Sequence, residues 1–357
     1  MKAIGYQDNL PIDDEQSLQD ITITKPTASG HDIVVEVKAI SVNPVDCKIR
    51  KARPAPEGEY AVIGWDAAGV VTAVGDKVSL FSVGDRVYYA GDLTRSGSNA
   101  EYQLVDERIV GHMPASLSFA EAAALPLTTI TAWEMLFDRL QVPVSKSVAG
   151  ADAASGNNDD VNSANANKVS VLVVGAAGGV GSILTQLLKA RTSATIIGTA
   201  SREESVQWLK DLGADHVINH RNPLFDELQK TGITEVDYVV SLNNTQEHYE
   251  EIIKCLKPQG KLGLIDDPKS LDIMPLKMKS LSLHWEFMFA RSMFQTPDMI
   301  EQHHLLTDVA KMIDAGEIKT TIAHHLGTIT AEHLRDAHHM LENRQAHGKI
   351  VLEGWPI

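Results

Sequence analysis

Short apolar runs broken by turn residues fill the first third of the chain. IVVEVKAISV (33–42), AAGVVTAV (67–74), DRVYYA (85–90) and AEYQLV (100–105) each have strand length and β-branched or aromatic content. Turn residues such as Val83-Gly84-Asp85 punctuate them, so residues 1–125 predict a mostly β unit with partly closed sheets. The pattern changes after a helical stretch at 131–140. Buried-type strands at 169–174, 194–199, 216–218, 238–241 and 263–265 then alternate with amphipathic helices, for example 247–256, which runs into Lys257-Pro258-Gln259-Gly260. Strand–helix alternation of this kind predicts a doubly wound parallel sheet, making the whole chain α/β. Beyond Asp267 the alternation stops, leaving one long helix near 299–315 and a closing strand at 348–352. Residues 146–167 (KSVAGADAASGNNDDVNSANAN) have almost no bulky apolar side chains. Such a segment buries too little surface to offset its chain entropy, which predicts a flexible surface insertion.

The densest chemistry lies at 169–202. The strand ending at Val174 meets Gly175-Ala176-Ala177-Gly178-Gly179-Val180-Gly181, then a helical pattern of Ile183, Leu184, Leu187 and Leu188, then a second strand. This is the context of a dinucleotide fingerprint, with Ala176 in the first glycine position. The turn lets a pyrophosphate approach, and the helix N-terminus offers it N–H groups and a positive dipole end. An NAD site ends its second strand on Asp or Glu for the ribose 2′-hydroxyl. Here Ala200 stands there, followed by Ser201 and Arg202. A hydroxyl and a guanidinium suit a 2′-phosphate, so the expected cofactor is NADPH.

Composition narrows the partners. The 357 residues are 43% hydrophobic and 22% charged, ordinary globular values with room for two cores. A net charge of −15 disfavours nucleic acid or an anionic membrane surface. Two cysteines, Cys47 and Cys255, give no disulfide framework. The opening MKAIGYQDNL lacks a signal-peptide core, and no apolar run approaches the ~18 residues of a membrane span, so a cytoplasmic protein is expected. The 14 histidines include the pairs His303-His304, His324-His325 and His338-His339, but none has H-E-x-x-H spacing; solvated or helix-end positions are expected.

The order of motifs resembles one family along nearly the whole chain. SVNPVDCKIR (41–50), GWDAAGVV (64–71), VGDRVYY (83–89), GSNAEYQLV (97–105), LPLTTITAWEML (125–136), GAAGGVG (175–181), LKPQGKLGLI (256–265) and GKIVL (348–352) are similar to the medium-chain dehydrogenase/reductase superfamily. Within it they resemble the quinone oxidoreductase-like branch, often labelled zinc-type alcohol dehydrogenase-like. The resemblance implies a GroES-like β-rich catalytic domain (1–126, completed by 271–357), a Rossmann cofactor domain at 127–270, and a homodimer.

The resemblance also places the catalytic zinc ligands of relatives at Asn43, Trp65 and near Leu127. None is a usual zinc ligand, so no metal is expected. What remains is hydride transfer from NADPH to a quinone or α,β-unsaturated carbonyl. Simple aldehydes or ketones are an alternative acceptor class, and non-catalytic NADPH binding a different role. By resemblance, Asn43 donates to nicotinamide, ribose or substrate, or simply forms a turn before Pro44. Asp46 braces that loop. Lys48 stands where a substrate-side Tyr is common, either as a proton donor or as an outward lysine. Trp65 makes the pocket apolar or is ordinary core packing, and Thr131 packs on the nicotinamide face or caps a helix. His220 lies near the adenosine ribose, and Leu242 and Asn243 end the fourth strand at the cofactor edge. Phe289 reaches the nicotinamide carboxamide through its backbone, and Lys349 lies at the cofactor mouth or in solvent.

Overall fold

A computed structural model describes residues 1–145 and 168–356; the expected insertion at 146–167 lies outside the described residues. The chain forms two compact units, Met1–Ile130 with Met288–Ile357, and Thr131–Phe287.

In the first unit, β1 (Lys2–Tyr6), β2 (Gln19–Thr22) and β4 (Ala61–Val62) make a small sheet in the order β2-β1-β4. The larger sheet is built around β3 (Asp32–Val42), whose residues Ile33, Val35, Val37 and Ile40 are wholly or almost wholly buried. The helix α1 (Pro44–Ala52) follows directly, with proline in its first turn, where a missing N–H costs nothing. β5 (Ala67–Val74), β6 (Arg86–Tyr89), β7 (Tyr102–Asp106) and β8 (Val110–His112) continue the sheet. α2 (Phe119–Ala123) is set by a Ser118–Glu121 capping box. β3 pairs antiparallel with β5 and β7, and two register shifts against β5 bend the sheet.

α3 (Pro126–Trp133) leads into the second unit, and a π-helical turn, Glu134–Arg139, follows. The expected helix at 131–140 thus starts earlier and changes its winding: the Leu140 N–H reaches the Met135 carbonyl, five residues back. Then come β9 (Ser170–Val174), α4 (Gly179–Arg191), β10 (Thr195–Thr199), α5 (Glu203–Asp211), β11 (His216–Ile218), α6 (Leu224–Gln229), β12 (Val236–Ser241), α7 (Thr245–Cys255), β13 (Leu256–Leu264) and β14 (Ser282–Trp285). All six strands are parallel, in the order β11-β10-β9-β12-β13-β14. The chain winds outward from β9 in one direction, returns to its other side, and winds outward again. The reversal opens a crevice at the C-terminal ends of β9 and β12, the ligand edge of doubly wound sheets. Leu172, Ile197, Val239, Ile252 and Leu262 are among the fully buried side chains that hold this unit together.

The return segment adds α8 (Ala290–Met293), α9 (Glu301–Asp314), β15 (Ile322–His325), α10 (Ala331–Glu342) and β16 (Lys349–Glu353) to the first unit. β16 pairs antiparallel with β3 and parallel with β15, extending the sheet to β15-β16-β3-β5-β6-β8 with β7 also on β3. One histidine departs from the solvated or helix-end expectation: His338 is fully buried within α10. His303, in the first turn of α9 and nearly buried, bonds the Val110 carbonyl at 2.7 Å through Nδ1. Among the described residues, no helix is long and apolar enough to cross a membrane.

Candidate functional site

The second unit gathers one group of expected residues at the C-terminal edge of its sheet. β9 ends at Val174, and Gly175 turns the chain with φ +79°, a conformation that side chains with a Cβ resist. Its amide donates to Thr199 Oγ1 at 3.0 Å. Ala176 is buried, and Gly178 is exposed at the N-cap of α4. The first bond inside α4 runs from the Ser182 N–H to the Gly178 carbonyl, 2.9 Å. The amides of Gly179, Val180 and Gly181 therefore head the helix with no acceptor within it. At Gly181 a Cβ would lie 2.2 Å from the Ala176 carbonyl oxygen, so glycine is what allows the helix to sit this close to the turn.

β10 brings Ala200 to the same edge, buried, with its N–H on the Ile218 carbonyl at 3.0 Å. Ser201 is half-buried and Arg202, the N-cap of α5, is exposed. No carboxylate ends this strand. His220 follows β11, half-buried near the His248 ring, and burial lowers its pKa. Leu242 follows β12 and donates to the Val174 carbonyl at 3.1 Å. Asn243 is exposed, and its side chain lies over Gly175. Thr131 is buried inside α3 rather than capping it.

The first unit holds a buried polar cluster that strand register assembles. Ile350 lies opposite Val42 and Ala67 opposite Ile40, which brings Lys349, Asn43 and Asp66 together at the ends of β16, β3 and β5. Lys349 Nζ donates to Asp66 Oδ2 at 2.8 Å and to Asn43 Oδ1. Asn43 Nδ2 donates to Asp66 Oδ2 at 2.8 Å, and the Leu127 N–H donates to Asp66 Oδ1 at 2.8 Å. Lys349 is only 3% exposed, so it is not a solvated lysine. Burial pushes the Asp66 pKa up, against the pull of Lys349, Asn43 and the Leu127 amide. Asp46 accepts the Asn43 N–H at 2.6 Å, closing the cap of α1, and burial pushes its carboxyl up to about 7. Lys48, two residues on, is exposed.

These residues do not fit a catalytic zinc. Such an ion needs three thiolate, imidazole or carboxylate donors and an open position. Of the three positions expected to correspond to zinc ligands, Asn43 is engaged on both sides of its amide, and Trp65 donates its indole N–H to the Asp92 carbonyl at 3.1 Å. Leu127 contributes only a backbone amide to the cluster. The Lys349 ammonium bonds Asp66 Oδ2 and Asn43 Oδ1, and the Leu127 N–H takes Asp66 Oδ1, so the cluster offers a metal no imidazole, no thiolate and no free carboxylate oxygen of Asp66. Trp65 is 1% exposed and meets the Phe289 ring edge-on at a centroid distance of 6.2 Å. Phe289 is itself buried, directly before α8.

Two features escaped sequence reasoning. Asp66 sits in Gly64-Trp65-Asp66, directly before β5, and an acid at the start of an apolar strand is the signal for it in the sequence. The second is a pair of buried carboxyls in the second unit, Glu134 in the π-helical turn and Glu286 just after β14. Arg139 Nε donates to Glu286 Oε2 at 2.8 Å, and Arg139 Nη2 lies 3.8 Å from Glu134 Oε2. Burial, reinforced by Glu134, pushes Glu286 far above the usual carboxylate range while Arg139 pulls the other way. One arginine faces two acids, so their mutual repulsion adds to burial in disfavouring the ionised form of Glu286.

Comparison with known proteins agrees with this architecture. Residues 29–131 match the family model for the alcohol dehydrogenase GroES-like domain, and residues 212–352 that for zinc-binding dehydrogenases. A zinc-type alcohol dehydrogenase-like protein of Staphylococcus aureus is 40% identical over 355 residues, 99% of each chain. The crystal structure of a Rhizobium etli protein described as a candidate zinc-dependent alcohol dehydrogenase superposes with a TM-score of 0.91 at 49% identity, covering 100% of this chain and 99% of that one. The Escherichia coli quinone oxidoreductase complexed with NADPH superposes with a TM-score of 0.79 at 25% identity, covering 99% of this chain and 100% of that one.

Proposed function

The chain belongs to the medium-chain dehydrogenase/reductase superfamily, and from that premise we propose that it is an NADPH-dependent oxidoreductase acting on quinones or α,β-unsaturated carbonyls without a catalytic metal. The observation that carries the proposal is the Lys349–Asp66–Asn43 cluster, which engages Asn43, one of the positions where the resemblance implies a zinc ligand.

The cofactor half rests on the edge of the parallel sheet. The amides of Gly179, Val180 and Gly181 and the dipole of α4 would hold the pyrophosphate, with exposed Gly178 leaving room for it. Arg202 would pair the 2′-phosphate, and Ala200 puts no carboxylate beside it to repel that charge. His220, Leu242 and Asn243 line the same edge and would border the adenosine and ribose. Bound there, reduced cofactor would supply a hydride to an electrophilic carbon.

The acceptor half follows from what the chain lacks a residue to do. A metal stabilises a developing alkoxide by several kcal/mol, and Asn43, Trp65 and Leu127 offer no such ion a site. A quinone or enone spreads the incoming charge over its own conjugated system. Buried Trp65 and Phe289 give that region apolar walls, and Asp46 with Lys349 fixes the loop that carries Asn43. The Escherichia coli quinone oxidoreductase that superposes on this chain binds NADPH, which supports both halves.

Steady-state assays with NADPH and NADH across 1,4-quinones, alkenals, saturated aldehydes and saturated ketones test the proposal. NADPH oxidation with quinone or alkenal, at least tenfold faster in kcat/KM than with any saturated carbonyl, is expected. Preference for saturated carbonyls, or equal use of both cofactors, would overturn it.

A further inference from the structure

One helical turn beyond Asn43, α1 carries a second constellation that the oxidoreductase chemistry does not use. Cys47 Sγ, a ring nitrogen of His338 and a carboxylate oxygen of Glu342 all lie within 4.8 Å of one another. Cys47 comes from α1, and His338 and Glu342 from α10, where their i, i+4 spacing puts both on one helix face. We infer that these three side chains form a site for a soft divalent cation of the zinc class, clamping α1 to α10.

The imidazole gives the strongest reason. His338 is fully buried, yet neither Nδ1 nor Nε2 has a hydrogen-bond partner among the described residues. Buried polar groups are almost always paired, and an orphaned ring costs free energy that a ligand would recover. The neighbours supply the rest of a thiophilic donor set. Cys47 is nearly buried, and its Sγ has only a long contact, 3.9 Å, to the His338 carbonyl. Thiolate, imidazole and carboxylate together are zinc ligands of the open, three-residue type. In tetrahedral zinc geometry, ligand atoms lie roughly 3.3–3.8 Å apart, so side-chain rotations of about 1 Å would close the set.

The outer contacts are also those of a metal site. Arg50 Nη2 bonds Glu342 Oε1 at 2.6 Å, and Lys51 Nζ bonds Oε2 at 2.8 Å, which orients the carboxylate while each oxygen keeps a second lone pair. The Glu342 side chain is 15% exposed, so the site opens to solvent on that side while the imidazole stays dry. Binding releases the Cys47 proton to solvent and forms a metal–sulfur bond. The site lies in the first unit and is independent of the proposed reductase activity, so either can fail without the other.

Cobalt(II) titration of the full chain, purified without a histidine tag, tests the site. One equivalent should bind with a near-ultraviolet thiolate-to-cobalt charge-transfer band, and zinc should displace it. Cys47→Ser and His338→Gln should each weaken binding at least about tenfold, and Cys47→Ser should abolish the band. Cys255→Ser should retain the band, which identifies the sulfur. Zinc should also raise the unfolding temperature of the unaltered chain. A titration of the unaltered chain without a charge-transfer band would overturn the site, whether or not the variants fold. A band lost in Cys255→Ser, or stoichiometric binding that persists unchanged in His338→Gln, would also overturn it.

Discussion

Replacing Lys349 with methionine removes the ammonium that sits 2.8 Å from Asp66 Oδ2 while keeping most of the side-chain volume. Asp66 is fully buried, so the substitution leaves a carboxylate in the interior short of its counter-charge. Breaking a buried pair in this way costs about 3–5 kcal/mol. Here the lower end applies, because Asn43 Nδ2 and the Leu127 amide still donate to Asp66, each at 2.8 Å. About 3 kcal/mol lowers the melting temperature of a unit of this length by about 6–12 °C. The sign with pH follows from Asp66. Burial already raises its folded pKa, and losing Lys349 raises it further. A raised folded pKa favours the native state at low pH and loses that advantage as pH rises, so the defect should deepen as pH climbs through the folded pKa of Asp66. Adding Asp66→Asn removes the stranded charge and should recover about half of the loss or more. Chemical and thermal unfolding of the four proteins in the cycle, followed by fluorescence, measures this. A Lys349→Met cost below about 0.5 kcal/mol, or a double variant as unstable as the sum of the singles, would refute the reasoning.

Three further outcomes follow from other parts of the structure. Arg202→Ala should weaken NADPH about ten- to a hundredfold and leave NADH nearly unchanged, as titration of both cofactors would show, since only the 2′-phosphate contact is lost. Glu286→Gln should flatten the pH dependence of stability: the raised folded pKa of Glu286 costs the unaltered protein stability, on the order of 1 kcal/mol per pH unit, as pH climbs above the ordinary carboxylate range near 4.3, and parallel urea unfolding profiles for the two proteins would contradict this. Gly181→Ala should cost about 1–3 kcal/mol and weaken NADPH, because its Cβ would press to 2.2 Å from the Ala176 carbonyl and push α4 away; an unchanged urea midpoint would count against that packing.

The doubly wound unit was legible because its signals are local. Ser170–Val174, the glycine turn, Gly179–Arg191 and Thr195–Thr199 follow one another in the sequence, each with its own period. The expected dinucleotide edge follows from that topology alone. The elements after Asp267 were harder to read. β14 is a short strand with half-exposed and exposed side chains, and α10 buries a histidine among several others, so neither shows a plain apolar period. The π-helical turn at Glu134–Arg139 has the composition of an α-helix, and the partner of its Arg139, Glu286, lies 147 residues away in the sequence. Lys349 and Asp66 stand 283 residues apart, and only the pairing of β16 and β5 with β3 makes them neighbours. From sequence alone, Lys349 could as well have been solvated, and Asn43 could be read as a turn residue, though it is also the hub of a buried cluster.

Direct hydride transfer to a conjugated acceptor is the core of the account, and stereospecifically 4-deuterated NADPH tests it most closely. Turnover of an alkenal should place deuterium on the β-carbon of the product and a solvent-derived hydrogen on the α-carbon, with the rate unchanged after a strong chelator. Product whose new carbon-bound hydrogens all come from solvent, or activity that vanishes with the chelator and returns with zinc, would contradict it.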